Sequence, residues 1–472
     1  MVFQSVLHFV SCRDPFRIIC VKRKPANLHK GGTGCGKGWR NDETGENRFQ
    51  AAGQYSLAQG LYWGAGCALT GFTAVFLQSR GLGNTEIGLT AGLASLASCF
   101  VSPLLSKVAA RWNGISLQVY MMMYLGLSGL LYALLALLPL PDWLIMAGYG
   151  MTFCLFLAMN PFLSQISMNC IAQGLRLKFG PARGVGSISF AAAAMILAQL
   201  SSWLEPGCLG WIYAAGTACL SVVLLWMPQV YAAGDDCRQA AEADSELSAQ
   251  VTGKRQGCLF GKYPLFFVLL AGFGLCYMVA SCMQTYLVNI LEDMHLDPSL
   301  LGISLFLMAA SELPVMVLTP RIRQRMGSLP LLLAAALCYG CRNLLVAQAS
   351  SFAMLLTGLM CQGISFGLFT TVITKYAGSV LEPGDRLTGQ SWIAIATTGL
   401  GGMAGNLFGG ILQDTLGLPV LLQLCSVMTV AGVAIAVAGL VRAAVLREMA
   451  GHVGIVRRLL SPDWRTQDSM VK

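Results

Sequence analysis

A chain of 472 residues that is 55% hydrophobic and only 11% charged cannot coat itself for water, because an average soluble domain is about 25% charged. Its mean hydropathy of +0.63 comes from many separate apolar runs, each near the 20 or so residues that cross a hydrocarbon core of about 30 Å. The net charge of +9 is spread among short loops and both ends of the chain, which is ordinary for a membrane protein and argues against a nucleic-acid partner.

Residues 1–53 carry a basic cluster, Lys22, Arg23 and Lys24, and a glycine-rich stretch, and are expected to form a disordered cytoplasmic tail. The opening run MVFQSVLHFV is too short to span and is followed by no small-residue cleavage site, so a signal peptide is not expected. GGTGCGKG matches the spacing of a phosphate loop from Gly31 to Lys37. No strand precedes it, no helix follows it, and Gly38 stands where a Ser or Thr would reach magnesium, so no ATP site is expected.

Apolar runs then predict spans at 54–78, 87–106, 116–138, 143–166, 183–203 and 208–228. Residues 229–262 are charged and poor in large apolar groups, and read as a linker. A second set follows at 263–290, 298–319, 329–348, 353–375, 388–412 and 418–441, and 442–472 read as a second cytoplasmic tail. Alternate loops separate by charge. One set holds Lys107 and Arg111, then Arg176, Lys178 and Arg183, then Arg238, Lys254, Arg255 and Lys262, then Arg321, Arg323 and Arg325, then Lys375 and Arg386. On the other side Arg80 is the only Lys or Arg, while Glu205, Glu292, Asp293, Asp297 and Asp414 gather there. The positive-inside rule therefore predicts an even number of spans with both ends in the cytoplasm.

The seventeen cysteines lie mostly inside apolar runs, as Cys99, Cys154, Cys219, Cys276, Cys338 and Cys425 do, and read as small buried hydrophobes. Four histidines and no paired CxxC give no metal site, and no nucleophile and base stand out as a catalytic pair.

The two sets of spans echo each other. EIGLTAGL opens the second span, with Gly88, Arg111 and Gly114; LLGISLFL opens the eighth, with Gly302, Arg325 and Gly327 at nearly equal offsets. Likewise FGPARGVGS enters the fifth span and PGDRLTGQS the eleventh, so that Arg183 and Gly186 answer Arg386 and Gly389. Shared order in both halves implies a six-plus-six repeat.

At these residues the sequence resembles the major facilitator superfamily, in the branch that holds lactose permease, phenylpropionate permeases and nucleoside permeases. The likeness covers about residues 54–441 and is most specific in FLQSRGLGNTEIGL, RGVGSISF, ASELPVMVLTPRIRQRMG, QGISFGLFTTVITKYAG and GQSWIAIATTGLGGMAGNLFGGILQDTLG. It implies an all-α membrane protein with 12 transmembrane helices in two pseudo-symmetric six-helix bundles, 54–228 and 263–441. The implied activity is secondary transport of a small organic solute by alternating access, without a cofactor, by a monomer in the plasma membrane. Solute–proton symport is the first expectation. An efflux carrier or uniporter is the alternative, and a receptor that does not transport is the reading from another class.

Carried over by residue, Arg183 looks like the family's solute-binding arginine of span five and Glu312 like its span-eight glutamate. Arg342 resembles an arginine of span nine tied to proton release, and Lys375 falls on a lysine at the end of span ten. The sequence departs from the pattern elsewhere: the span-ten histidine is Gln362, and the proton-carrying glutamate three residues on is Ser365. The span-four acid has no counterpart, Asn160, Gln165 and Asn169 standing in MNPFLSQISMNC, and Ala110 precedes Arg111 where an acid is usual.

Physical chemistry points to the same few residues. A charge at bilayer depth costs at least about 2.5 to 3.5 kcal/mol on insertion scales, so it belongs in a pair or a wet cavity. Glu312 is predicted about eight residues, or about 12 Å at 1.5 Å per residue, from the basic end of its span, within side-chain reach of Arg342. Both are candidates for proton coupling. Gln362, Asn160, Gln165, Gln284 and Asn289 are candidate hydrogen-bond partners for the solute, with Glu312 and Arg183; Tyr277 lies on the same polar side of span seven. Tyr62 and Trp63 read as packing. Gly401, Gly405 and Gly409 form a G-x-x-x-G-x-x-x-G face suited to close helix approach.

Overall fold

The computed structural model describes residues 45–111, 114–172, 179–227, 259–382 and 385–460. The Gly31 to Lys37 stretch, most of the 229–262 linker and residues 461–472 lie outside the described residues. The described chain is helical almost throughout, as a backbone in hydrocarbon must be when every N–H and C=O needs an internal partner. In chain order, α1 comprises Gly45–Gly66 and Thr73–Ser79 around a π turn at Cys67–Gly71. Then come α2 (Asn84–Arg111), α3 (Leu117–Leu137), α4 (Asp142–Ala172), α5 (Phe179–Trp203) and α6 (Cys208–Trp226).

The second half opens with α7, formed by Pro264–Thr285 and Leu287–Asp293. Next are α8 (Leu301–Ala310 and Glu312–Met326) and α9 (Ser328–Ala347). A π turn at Gly363–Gly367 interrupts α10 between Phe352–Met360 and Leu368–Val380. Another, at Ile395–Gly401, interrupts α11 between Arg386–Ala394 and Gly402–Leu416, and α12 is Leu418–Leu460.

Three boundaries differ from the sequence expectation. Helix α1 starts at Gly45, nine residues before the predicted start of the first span. Helix α12 continues past 441 to Leu460, because nothing between 442 and 460 breaks a helix: no Pro occurs, and the two glycines stand alone. In α8 the helix runs on from Glu312 to Met326, past the predicted span end at 319.

Ten helices among the described residues are long and apolar enough to cross a membrane, eleven when the α1 pair, bent by 49°, is one span. The twelfth, α11, is rich in Gly, Thr and polar amides because it is wedged between α2 and α7 more than it faces lipid. Its Gly401, Gly405 and Gly409 meet α7: a Cβ at each would lie 3.0 Å from Gly274 O, 2.1 Å from Met278 O and 2.5 Å from Cys282 Sγ. Its other side meets α2, where a Cβ on Gly88 would lie 2.2 Å from Asn406 O and one on Gly92 3.0 Å from Met403 O. Such backbone-to-backbone approach is the physical use of small residues where lipid supplies no hydrophobic drive.

Two apolar cores describe how the halves meet. The larger runs through the first half and continues into the acid-bearing ends of α7, α8 and α12, through Leu287, Leu305 and Leu421. The smaller, with Phe266, Leu332, Tyr339, Phe369 and Ile373, belongs to the basic side of the second half alone. The halves thus share a core at the acidic face and keep separate cores at the basic face.

Hydrogen bonds seal the shared end. The carboxylate of Asp414 accepts from Thr85 N–H (2.6 Å) and Asn84 Nδ2 (2.9 Å), capping the α2 N-terminus with negative charge from α11. Tyr286 Oη reaches Asn84 O (3.0 Å) and Asn406 O (3.1 Å). Asn289 donates to Asn84 Oδ1 (2.8 Å) and accepts from Gln78 Nε2 (2.9 Å). Toward the basic end the α2–α11 contact fades at Cys99, whose Sγ is 4.0 Å from Ala394 O. Beyond it Phe100, Leu104 and Lys107 are exposed.

Replacing Gly405 by Val forces α11 off the Met278 carbonyl and is expected to cost about 1–3 kcal/mol, the usual penalty of overpacking. Gly126, with nothing within 4 Å of its Cβ position, should tolerate Ala without loss, since Ala is the better helix former. Thermal unfolding of the two purified variants in one detergent checks the contrast.

Candidate functional site

Midway through α8 the helix breaks at Ser311, between Ala310 and Glu312. Packing from α10 exploits that break. Ser311 Oγ accepts from Gly363 N–H (3.0 Å), and a Cβ on Gly363 would lie 2.1 Å from Ser311 O, so only glycine lets α10 come this close. The π turn that starts at Gly363 sets Gln362 facing α8, in keeping with the frequent use of π turns at functional sites. Gln362 Nε2 then stands 3.5 Å from Glu312 Oε1.

From the first half, α5 approaches the same carboxylate. Ser187 Oγ donates to Glu312 Oε2 (3.1 Å) and accepts from Arg183 Nη1 (3.2 Å), one turn earlier on α5. Arg183, Ser187, Glu312 and Gln362 therefore form one hydrogen-bonded line that crosses from one half to the other. Gly184 makes the crossing close, since a Cβ there would lie 2.2 Å from Leu313 Cδ1. The Arg183 guanidinium also lies over the indole of Trp63, 4.1 Å from the ring centroid, a cation–π contact. Gly186 leaves room for that indole, because its Cβ would be 2.6 Å from Trp63 Cδ1.

Glu312 is 8% exposed, and Arg342 is fully buried. The two do not form the ion pair that their predicted depths allowed: among the described residues the only ion pairs are those of Lys262 with Glu382 and Asp385. Arg342 Nη1 instead donates to Asn343 Oδ1 (2.8 Å), Nη2 lies 4.0 Å from Met308 Sδ, and Nε has no partner. Further buried atoms without a partner are Gln59 Oε1, Trp63 Nε1, Tyr120 Oη, Tyr339 Oη, Gln362 Oε1, Gln413 Oε1 and Thr429 Oγ1. In a hydrocarbon surrounding such orphans are costly.

The remaining candidates are placed differently. Asn289 spends both ends of its amide in the acidic-face seal, away from Glu312. Gln165 is exposed on α4, Asn160 and Gln284 are half-buried, and none of the three side chains hydrogen-bonds another described residue. Ser365 donates back to Cys361 O (3.0 Å), so it takes no part in the line. Lys375 is exposed near the basic end of α10. Tyr62, read as packing, stacks on Phe156 at 4.5 Å and donates to the Phe156 carbonyl. Trp63, also read as packing, lies under the Arg183 guanidinium.

A membrane-embedded helical protein in two inverted-charge faces, with a polar line at mid-depth joining its halves, has the build of a transporter. The chain belongs to the MFS_1 like family, whose model matches residues 54–424. It is 20% identical over 396 residues to the uncharacterized transporter YwbF of Bacillus subtilis (strain 168), covering 82% of this chain and 93% of that protein. A variant of the nucleoside transporter NupG superposes with a TM-score of 0.68 at 16% identity, over 83% of this chain and 99% of its own. The human organic anion transporter MFSD10 (TETRAN) does so with 0.57 at 15% identity, over 82% and 99%. The protein is thus a multi-pass membrane transporter of the major facilitator type that handles a small molecule.

Ser187→Ala removes the link between Arg183 and Glu312 and leaves the carboxylate with one neutral donor. Loss of a hydrogen bond to a charged group costs about 1.5–3 kcal/mol, so thermal stability is expected to fall by that order while Ser187→Thr, which keeps the hydroxyl, recovers most of it.

Proposed function

We propose that this protein moves a small organic solute by alternating access, with Glu312 as the group that takes up and releases both solute and proton. The observation that carries this reading is the placement of Glu312: one carboxylate at mid-depth, at the seam of the two halves, held by a hydroxyl and an amide and by no cation within ion-pair distance among the described residues. A carboxyl so held is served by the same neighbours whether ionised or protonated, since Ser187 and Gln362 can each donate or accept.

The state described here is closed at the acidic face and parted at the basic face. Under the positive-inside rule the basic face is cytoplasmic, both chain ends lie there, and the state faces inward in the plasma membrane. Solute then reaches Glu312 and Arg183 from the cytoplasm. To face outward, the Asp414 cap and the Tyr286 and Asn289 hydrogen bonds must open while the basic ends close. One chain supplies both halves of the site, so the working unit is a monomer.

Carriers that exchange solute without net flux need no proton step, which separates the parts of this proposal. In vesicles containing Glu312→Gln, accumulation driven by a pH gradient is expected to disappear while solute counterflow persists. Gradient-driven accumulation at the wild-type level in that variant removes Glu312 from the proton step, and would favour a uniporter.

A further inference from the structure

The mid-depth charges do not balance. Away from the helix ends, Glu312 is the sole carboxylate in any of the twelve spans, whereas Arg183 and Arg342 are two guanidiniums at or near the same depth. Arg342 is fully buried with its Nε unpartnered, and its other nitrogens meet only neutral groups. Arg183 is half-buried and meets a hydroxyl and an indole. In a surrounding of low dielectric a buried unit charge needs a counter-charge, and water screens it poorly. Toward the basic ends of these helices Lys107, Arg321, Arg325 and Lys375 are exposed and Arg323 is half-buried, so they do not enter the count.

With Glu312 ionised the site is left with one uncompensated positive charge, and with Glu312 protonated it has two. We propose that the solute supplies the missing charge: it is a small organic monoanion, a carboxylate in its ionised form, whose charged end docks on Arg183. This rests on the reading of the Glu312 seam as the solute site. Arg183 is the contact residue because, of the two cations, it is the one that is not fully buried. Arg342 acts through its field, as a positioning charge behind Glu312. With Glu312 ionised, one bound monoanion brings the net charge of the site to zero.

Matched pairs of solutes test the inference, each pair a monocarboxylate and its uncharged primary amide, applied to the purified full chain at neutral pH. Thermal stabilisation is the first readout and counterflow in vesicles the second. Carboxylates are expected to stabilise the protein and drive counterflow while their amides do not. The preference should fall about tenfold or more in Arg183→Gln and return in part in Arg183→Lys, the scale of a charge-assisted hydrogen bond. Stability without solute shows whether each variant is folded, and the wild-type preference stands independently of the variants. Counterflow by uncharged solutes but by no carboxylate overturns the inference and leaves the transport reading standing. Counterflow by neither class overturns both.

Discussion

A single carboxylate in hydrocarbon needs partners, and Glu312 finds them on both halves of the molecule at once. Everything else in the arrangement serves that requirement. The break in α8 at Ser311 presents the carboxyl, the π turn of α10 brings Gln362 to one oxygen, and glycines 184 and 186 let α5 deliver Ser187 to the other. Because the donors sit on different halves, any motion of one half against the other changes what Glu312 touches. The carboxyl is therefore coupled to the conformation by geometry alone.

Around that seam the molecule uses two kinds of contact. Backbone approach through Gly88, Gly92, Gly405 and Gly409 brings α2, α11 and α7 together without side chains that must repack when helices slide. Exposed and half-buried hydrogen bonds from Asp414, Asn84, Tyr286 and Asn289 hold the acidic face shut. Each such bond is worth about 0.5–1.5 kcal/mol net, so a solute that pays a few kcal/mol can release the set. An apolar core shared by the halves at that face adds stability to the closed state, and the smaller second core has no such link at the basic face.

Much of this was legible in the residues. Hydrocarbon-length runs, the one-sided loop charges and the paired motifs around Arg183 and Arg386 pointed to the repeated helical architecture, because lipid leaves a chain few other ways to fold. Glu312, Arg183 and Gln362 stood out since polar groups are rare at that depth. Ser187 did not, as a serine in a membrane helix commonly bonds its own backbone, and only the α5–α8 packing turns it outward. Trp63 looked like packing because an indole is mostly apolar; its role depends on an arginine 120 residues away in the chain. Asn289, a polar residue near a span end, takes part in the acidic-face hydrogen bonds instead of the Glu312 line. Span α11 shows the limit of hydropathy, which measures exposure to lipid, whereas this helix mostly touches other helices.

The account turns on the two halves being joined at the acidic face and parted at the basic face, with Glu312 between. Paired spin labels on α2 and α11, one pair near Glu86 and Thr415 and another near Lys107 and Arg386, measure that directly in lipid. A short, narrow distance at the first pair and a long one at the second, exchanging when a transported solute is added, is the predicted result. Equal distances at both ends that ignore solute would contradict it.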